Sequence, residues 1–181
     1  MTLPPSVADL SQELLDVLDS DLRVVGRATR QEVHARGLLH RAVHILVLGS
    51  DGRLLLQKRC LSKASHPGAW DTSVGGHVGA GEEPLPSALR ECREELGIDV
   101  RDADLAPLGG YLFDAGTLDA EWVESWILVH DGPFAPDPAE VEAVAYFTAA
   151  EVEELIRVGS TTPHFVVQWG RDLKDRGRVR P

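Results

Sequence analysis

The sequence predicts a mixed α/β domain. Short apolar runs typical of strands alternate along the chain with segments whose apolar residues recur at helical spacing. The length of 181 residues fits one domain, and 43% hydrophobic residues suffice for a substantial core. No stretch approaches the roughly 18 consecutive apolar residues of a transmembrane helix, so none is predicted.

The N-terminal third of the chain contains the first predicted elements. Apolar residues at helical spacing predict a short helix over 6–19, and residues 22–26 predict a strand. Two further apolar runs, 41–48 and 53–57, flank Asp51-Gly52. An Asp-Gly pair between such runs indicates a β-hairpin.

The rest of the chain continues this alternation. Polar residues around Pro67 predict a loop over 60–72, which leads into a glycine-rich segment, 73–81. A helix is predicted over 85–96, because its apolar residues share one face and Gly97 follows. Downstream the pattern predicts strands at 105–113, 122–130 and 141–147, helices at 149–158 and 163–175, and a flexible tail at 176–181.

Composition disfavours several classes of partner. The chain has 18 Lys and Arg against 29 Asp and Glu, a formal net charge of −11. Such a balance argues against nucleic acid and anionic membranes, and at first sight against phosphate-bearing substrates as well. The N-terminus lacks the pattern of a secretory signal, and two cysteines are too few for a disulfide framework. We therefore expect a cytoplasmic protein.

The helix predicted before Gly97 carries the most informative side chains. Glu91 and Glu95 lie four residues apart on one flank of its apolar face, with Glu94 nearby. Like charges at this spacing destabilise a helix by roughly 0.2–0.5 kcal/mol, and the helix dipole disfavours anions in the last turn. A hard cation such as Mg²⁺, which prefers oxygen ligands, would explain the cluster. The alternative is a solvated acidic face whose partners are the neighbouring arginines.

The spacing of these acids within a longer motif favours the interpretation that they bind a cation. Gly76, Glu82 and the run Arg90-Glu91-Cys92-Arg93-Glu94-Glu95-Leu96-Gly97-Ile98 follow one another at intervals of five and seven residues. This arrangement resembles the Nudix box, G-x5-E-x7-R-E-U-x-E-E-x-G-U, in which U is an apolar residue. Every fixed position is matched, and Cys92 and Ile98 occupy the two apolar places. The chain is therefore similar to the Nudix hydrolases over residues 76–98.

The resemblance implies a fold and an activity. Nudix proteins form an α/β/α sandwich with a mixed sheet, which here implies a domain over 41–175. Residues 1–40 would be an N-terminal extension, with a short helix and strand packed on that domain. Family members mostly hydrolyse a nucleoside diphosphate linked to another group, use Mg²⁺ or Mn²⁺, and are commonly homodimers. The expected reaction is cleavage of a phosphoanhydride bond in a small diphosphate by metal-activated water.

The resemblance also implies roles for individual residues. Glu91 and Glu95 would be metal ligands, joined by the backbone carbonyl of Gly76. Glu94 would be a further ligand or the general base, although the base of some members lies outside the box. Arg90 would orient the carboxylates by ion pairing.

The segments EVHARGLLHRAV and LLLQKRCLSKASHPGAWDTSVGGHV, before and into the box, resemble isopentenyl diphosphate isomerase and its Nudix relatives. The match implies that His34, His40 and His77 help bind a metal, and that Arg59 and Lys63 contact the diphosphate of the substrate. A structural role for the histidines and a surface role for the two cations are the alternatives.

The chain also departs from the isomerases. Their catalytic cysteine falls at Gly75, which has no side chain, and their acidic ligands fall at Trp122 and Glu124. The isomerases also lack the complete set of box acids that is present here. We therefore predict a hydrolase, with an isomerase-like enzyme as the alternative. Because much of the acidic excess lies at one cation site, small phosphates stay possible substrates.

Overall fold

The computed structural model describes residues 10–63, 65–114, 119–174 and 176–181. Its strands are β1 (Leu14–Leu18), β2 (Val24–Thr29), β3 (His40–Leu48), β4 (Leu54–Arg59), β5 (Trp70–Asp71), β6 (Val74–His77), β7 (Ala106–Asp114), β8 (Ala120–Val129) and β9 (Val141–Phe147). Its α-helices are α1 (Arg30–Arg36), α2 (Pro84–Leu96), α3 (Ala149–Arg157) and α4 (Pro163–Gln168), and a π-helical turn, Trp169–Leu173, follows α4.

Strand β3 is the centre of the main sheet. Its first half pairs antiparallel with β6, its last residues pair antiparallel with β4, and its whole length pairs parallel with β8. The strand order is β5-β4-β3-β8-β7, and β9 also pairs with β4. The sheet is therefore mixed, as the family resemblance implies.

Alternate residues of β3 contact helices on opposite sides of the sheet. Ile45 packs in one core cluster with Cys92 of α2. Its neighbour Leu46 packs in another cluster with Val152 of α3 and Phe165 of α4. Because successive side chains of a strand point to opposite faces, the sheet lies between α2 and the two C-terminal helices. The predicted α/β/α sandwich is confirmed.

Most of the predicted elements are present. The hairpin around Asp51-Gly52 is confirmed, since Leu48 pairs with Leu54 and Gly52 adopts a φ of 82° in the turn. The helix before Gly97 and the three downstream strands are confirmed as α2, β7, β8 and β9, with small differences at their ends. Among the described residues, no helix is long and apolar enough to cross a membrane.

The helix predicted over 6–19 is wrong in its described part. Leu14–Leu18 forms β1, which pairs antiparallel with β2, and residues 1–9 lie outside the described residues. The backbone N–H of Ala80 donates to the carbonyl of Leu14 at 2.8 Å, and Leu15 is fully buried. This pairing satisfies the backbone of the segment through partners distant in sequence, which helical spacing alone does not anticipate.

A short helix, α1, follows β2 and carries His34. It begins at a capping box in which the Thr29 side chain accepts from the N–H of Glu32, while the Glu32 carboxylate accepts from the N–H of Thr29. It ends at Gly37, whose φ of 61° is the left-handed conformation that favours glycine. The segment before β3 therefore forms a small two-stranded unit with a helix, in which β2 overlaps the strand predicted over 22–26.

Residues 176–181 are packed on the domain, in contrast to the predicted flexible tail. Val179 is buried in the cluster on the α3 side of the sheet. The N–H of Arg180 donates to the carbonyl of Gly52 at 2.7 Å, and its carbonyl accepts from Ala149 at 2.8 Å. These bonds connect the segment to the β3–β4 turn and to the start of α3.

Candidate active-site cleft

The packing of α2 places its acidic side chains beside the sheet. Cys92 and Leu96 are fully buried in the core, so the rotation of the helix about its axis is determined. Glu91 and Glu95 each precede one of these anchors and therefore lie on the flank of the buried face. The helix ends at Gly97, whose φ is 66° and whose N–H donates to the carbonyl of Arg93.

Gly76 of β6 allows the helix to approach the strand closely. A Cβ atom at Gly76 would lie 2.1 Å from Cδ of Glu91, a distance that no packed side chain tolerates. Gly75 donates its N–H to Oε2 of Glu95 at 2.9 Å. The missing side chain at Gly76 and the backbone N–H of Gly75 thus bring both carboxyl groups against β6.

The carboxyl groups of Glu95, which is buried, and Glu91, which is half-buried, have perturbed acidity. Oε2 of Glu95 also accepts from Nε2 of Gln57 at 2.9 Å. Burial, reinforced by the neighbouring Glu91, raises the pKa of Glu95 to about 8. Burial raises the pKa of Glu91 to about 7, although Arg90 opposes the shift. A bound cation would favour the ionised form of both groups and release their protons.

Arg90 is the centre of the ion pairs on this face of the helix. Its guanidinium donates to Glu91 at 2.8 Å and to Glu94 at 2.9 Å, and lies 3.4 Å from Glu82. It also donates to the backbone carbonyl of His77 at 3.2 Å. Arg90 therefore balances the repulsion among the acids and links α2 to the end of β6.

The predicted substrate cations Arg59 and Lys63 line the same cleft, and each is paired with an acid. Arg59 donates to Asp71 at 3.1 Å, and Lys63 forms an ion pair with Glu140. A third cation, Arg30 at the start of α1, also lines the cleft, and no sequence pattern identifies it. The three cations form the positively charged part of the cleft wall.

A second cluster of metal-binding side chains lies across the cleft. The rings of His34, His40 and His77 have centroids 5.0–5.2 Å apart. One nitrogen from each of these histidines lies within 4.8 Å of the others, and a ligand set of His40, Asp119 and Glu121 meets the same limit. The three predicted histidines are therefore adjacent in space, and they are joined by two carboxylates.

The acids of this cluster differ from those that the sequence predicts. The acidic ligands of the isomerases were expected at Trp122 and Glu124, but Glu121 contacts the histidines and Asp119 lies beside them. Glu121 lies three residues before Glu124, and because adjacent residues of β8 point to opposite faces, this odd difference places the two carboxylates on opposite sides of the sheet. We therefore correct the position of the expected acid from Glu124 to Glu121.

The buried polar atoms of this cluster fit a metal ion. Nε2 of His40 and Nε2 of His77 lie 3.6 and 3.7 Å from Oε1 of Glu121, and both nitrogens are buried without a hydrogen-bond partner among the described residues. Ligands of a first-row metal with bonds near 2.1 Å are separated by about 3–3.5 Å, which is close to these distances. Burial holds the pKa of His77 well below its usual value, so its ring stays neutral and able to bind metal.

Glu121 is the most strongly perturbed acid of the cluster. Burial alone would raise its pKa, but contacts with His164 and His40 outweigh this effect and hold the pKa well below its usual value. The carboxylate is therefore ionised at neutral pH, as a metal ligand must be. His164, on α4, belongs to the cluster although nothing in the sequence pattern singles it out.

One cleft of about 530 Å³ connects the helix acids with the histidine cluster. Gly76 and His77 are adjacent on β6. Gly76 lies against Glu91 of the helix, and His77 belongs to the histidine cluster. Glu13 of the N-terminal segment also lines the cleft and lies 3.7 Å from Arg30. The space between the sites is lined by carboxylates, imidazoles and cations, a combination suited to a metal-bound anion.

Comparison with known proteins agrees with this architecture. The NUDIX domain model matches residues 38–167. An uncharacterized Nudix hydrolase of Pseudomonas aeruginosa is 40% identical over 134 residues, covering 74% of this chain and 78% of its own length. An uncharacterized Nudix hydrolase of Yersinia pestis is 36% identical over 140 residues, covering 77% of this chain and 75% of its own length. An isopentenyl-diphosphate Delta-isomerase of Streptomyces avermitilis is 34% identical over 147 residues (78% and 74%).

Solved structures show the same fold. The crystal structure of DR0079 from Deinococcus radiodurans superposes with a TM-score of 0.78 at 27% identity, covering 89% of this chain and 99% of that protein. A MutT NUDIX hydrolase from Burkholderia pseudomallei gives a TM-score of 0.56 at 23% identity, covering 74% and 97%. Together with the complete Nudix box over residues 76–98, the domain-model match and the relatives in sequence establish that the chain belongs to the Nudix hydrolase family.

Proposed function

We propose that this protein hydrolyses a phosphoanhydride bond of a small diphosphate, such as a nucleoside diphosphate derivative, with Mg²⁺ or Mn²⁺. The observation that carries the proposal is the pair of carboxyl groups held against β6, Glu91 at Gly76 and Glu95 at Gly75, in a cleft that cations also line. Two carboxyl groups with raised pKa values are stabilised when a divalent cation replaces their protons.

Oxygen donors suited to Mg²⁺ converge at this site. The carboxylates of Glu91 and Glu95 and the carbonyl of Gly76 would hold the ion. When bound, the metal would lower the pKa of a coordinated water and neutralise charge on the diphosphate. Gln57 and Gly75, which donate to Glu95, hold its carboxyl group in place for that role.

Arg90 and Glu94 complete the catalytic group. Arg90 keeps Glu91 and Glu94 together despite their like charges. We assign Glu94 as the general base that removes a proton from the attacking water, because it lines the cleft and is more exposed than the two ligands. Glu13 lines the cleft as well, so a Glu13→Gln variant is the comparison that tests this choice.

The cations on the cleft wall would bind the diphosphate. Arg59 is held by Ser65 and Asp71, which keep its guanidinium in one position. Lys63 would exchange its ion pair with Glu140 for a phosphate oxygen. Arg30 adds a positive charge from the N-terminal unit. These local charges explain how a protein of net charge −11 could attract a small anionic substrate.

A panel of small diphosphates with Mg²⁺ and with Mn²⁺, scored for phosphate and nucleotide release, tests the proposal. Hydrolysis in H₂¹⁸O should place the label in a phosphate product, because water attacks phosphorus. Glu95→Gln and Glu94→Gln should each lower turnover at least 100-fold. Glu154→Gln on α3 is the matched control, since its side chain is 57% exposed, as is that of Glu94. Full turnover in both cleft variants would contradict the assignment.

An isomerase-like reaction is the second candidate. The cluster of His34, His40 and His77 favours it, and relatives named isopentenyl-diphosphate Delta-isomerase match most of the chain. Against it, the expected cysteine position is Gly75, where an added Cβ would lie 3.2 Å from Cδ2 of His44. Conversion of isopentenyl diphosphate to its isomer without phosphate release would reverse our ranking.

A further inference from the structure

In both carboxylates of the histidine cluster, Asp119 and Glu121, the two oxygens lie near different histidines. Oδ1 of Asp119 lies 3.2 Å from Nδ1 of His34, whereas Oδ2 lies 3.5 Å from Nε2 of His164. Oε1 of Glu121 lies nearest to His40 and His77, whereas Oε2 lies 3.2 Å from the same nitrogen of His164. The inner oxygens thus face three histidines, and both outer oxygens lie at ion-pair distance from Nε2 of His164, which, like Nε2 of His40 and His77, is buried and makes no hydrogen bond among the described residues.

The contacts of these oxygens distinguish the candidate metal ligands from His164. His34, His40 and His77 form one group whose ring nitrogens lie within 4.8 Å of one another, and His40, Asp119 and Glu121 form a second group that shares His40 and meets the same limit. A mixture of imidazole and carboxylate ligands suits first-row metals such as Mn²⁺, Co²⁺ or Zn²⁺. His164 belongs to neither group and lies near the other oxygen of each carboxylate.

We infer that His164 is a positioning residue that turns the inner oxygens of Asp119 and Glu121 toward a metal ion. Carboxylate ligands are commonly held by a hydrogen bond to the oxygen that does not bind the metal, and loss of such a partner typically costs 10–100-fold in metal affinity. One imidazole contacting both outer oxygens would restrict two ligands at once.

The surroundings of His164 keep its ring in place. The ring stacks on Phe113 of β7, with centroids 3.6 Å apart and an interplanar angle of 23°. The start of α4 is held by Thr162, whose side chain accepts from the N–H of Phe165 at 3.2 Å and whose hydroxyl donates to Asp71 at 2.6 Å. Because the ring is restrained in this way, it can fix the orientation of the more flexible carboxylates.

Titration of the full-length protein with Co²⁺ alone as the probe tests this inference. Excess Mg²⁺ competes for the all-carboxylate site on α2, and visible absorption of Co²⁺ reports its ligands. His164→Phe keeps a ring on Phe113 but removes the nitrogen that faces the carboxylates. We expect it to weaken Co²⁺ binding 10–100-fold while the absorption band keeps its position. His164→Gln, which restores a donor, should recover part of the affinity.

Two further variants make the result specific. His34→Gln, which replaces a ligand, should shift the absorption band as well as weaken binding. His130→Gln changes a histidine outside the cleft and should leave Co²⁺ binding unchanged. The inference fails if His164→Phe binds Co²⁺ as tightly as the wild type, if it shifts the band as a direct ligand would, or if the wild type binds no Co²⁺. Because no substrate is used, failure of the proposed hydrolysis would not affect this result.

Discussion

Replacement of Glu95 by glutamine should stabilise the metal-free protein near neutral pH. The pKa of Glu95 is about 8 in the folded protein against an ordinary value of 4.5. Between these values the folded state holds a proton that the unfolded chain has released, so the free energy of unfolding falls as pH rises. Each pH unit in this window removes about 1.4 kcal/mol, or roughly 3 kcal/mol between about pH 5 and pH 7.

The glutamine variant lacks this titration but can keep the local geometry. Gln57 and Gly75 both donate to Oε2 of Glu95, so the amide oxygen of a glutamine in that place could accept both bonds. Urea unfolding in EDTA at several pH values from 5 to 8 measures the difference. We expect a flatter pH dependence in Glu95→Gln, greater stability than the wild type at about pH 7, and no stabilisation by added Mg²⁺. Equal pH dependence in both proteins, or a less stable variant at about pH 7, would refute the reasoning.

Two further changes test the close approach at β6 and the cations of the cleft. Gly76→Ala should destabilise the protein by about 1–3 kcal/mol in thermal unfolding and abolish most activity, because the new methyl group would displace Glu91. Gly26→Ala is the control and should have little effect, because no atom lies within 4 Å of the added Cβ. Lys63→Met should raise KM for a diphosphate substrate about tenfold with a smaller change in kcat, because a charge-assisted contact with phosphate is lost. Lys58→Met, which changes a lysine on the same hairpin outside the cleft, is its control; equal KM values in the two variants would argue against phosphate binding by Lys63.

Local spacing was sufficient to predict α2 and the β3–β4 hairpin. The apolar residues of α2 recur with the period of a helix, and Gly97 marks its end. The Asp51-Gly52 turn is likewise encoded within a few residues. Because the Nudix box spans one continuous segment, its acids could be placed on the flank of α2 before the structure was known.

The second cluster could not be assembled in the same way. Glu121 lies beside His40 only because β8 pairs parallel with β3 in a register that aligns these two residues. His164 comes from a helix more than 80 residues after His77, and its position depends on how α4 packs on the sheet. Contacts between distant segments follow from the packing of the whole domain, which residue spacing does not encode. The expectation of the acid at Glu124, three residues from Glu121 and on the opposite face of β8, was wrong for this reason.

The segment before β3 contributes side chains to the cleft, so the part of the chain that forms the cleft begins before β3. The NUDIX domain model starts at residue 38, yet Glu13, Arg30 and His34 all line the cleft and precede that boundary. A recombinant fragment trimmed to residues 38–167 would keep every acid of the Nudix box and still lose one wall of the cleft. It would also lose the bridge between Leu15 and Gly79, which supports the loop before α2. Boundaries drawn from sequence similarity therefore underestimate the part of this chain that forms the cleft.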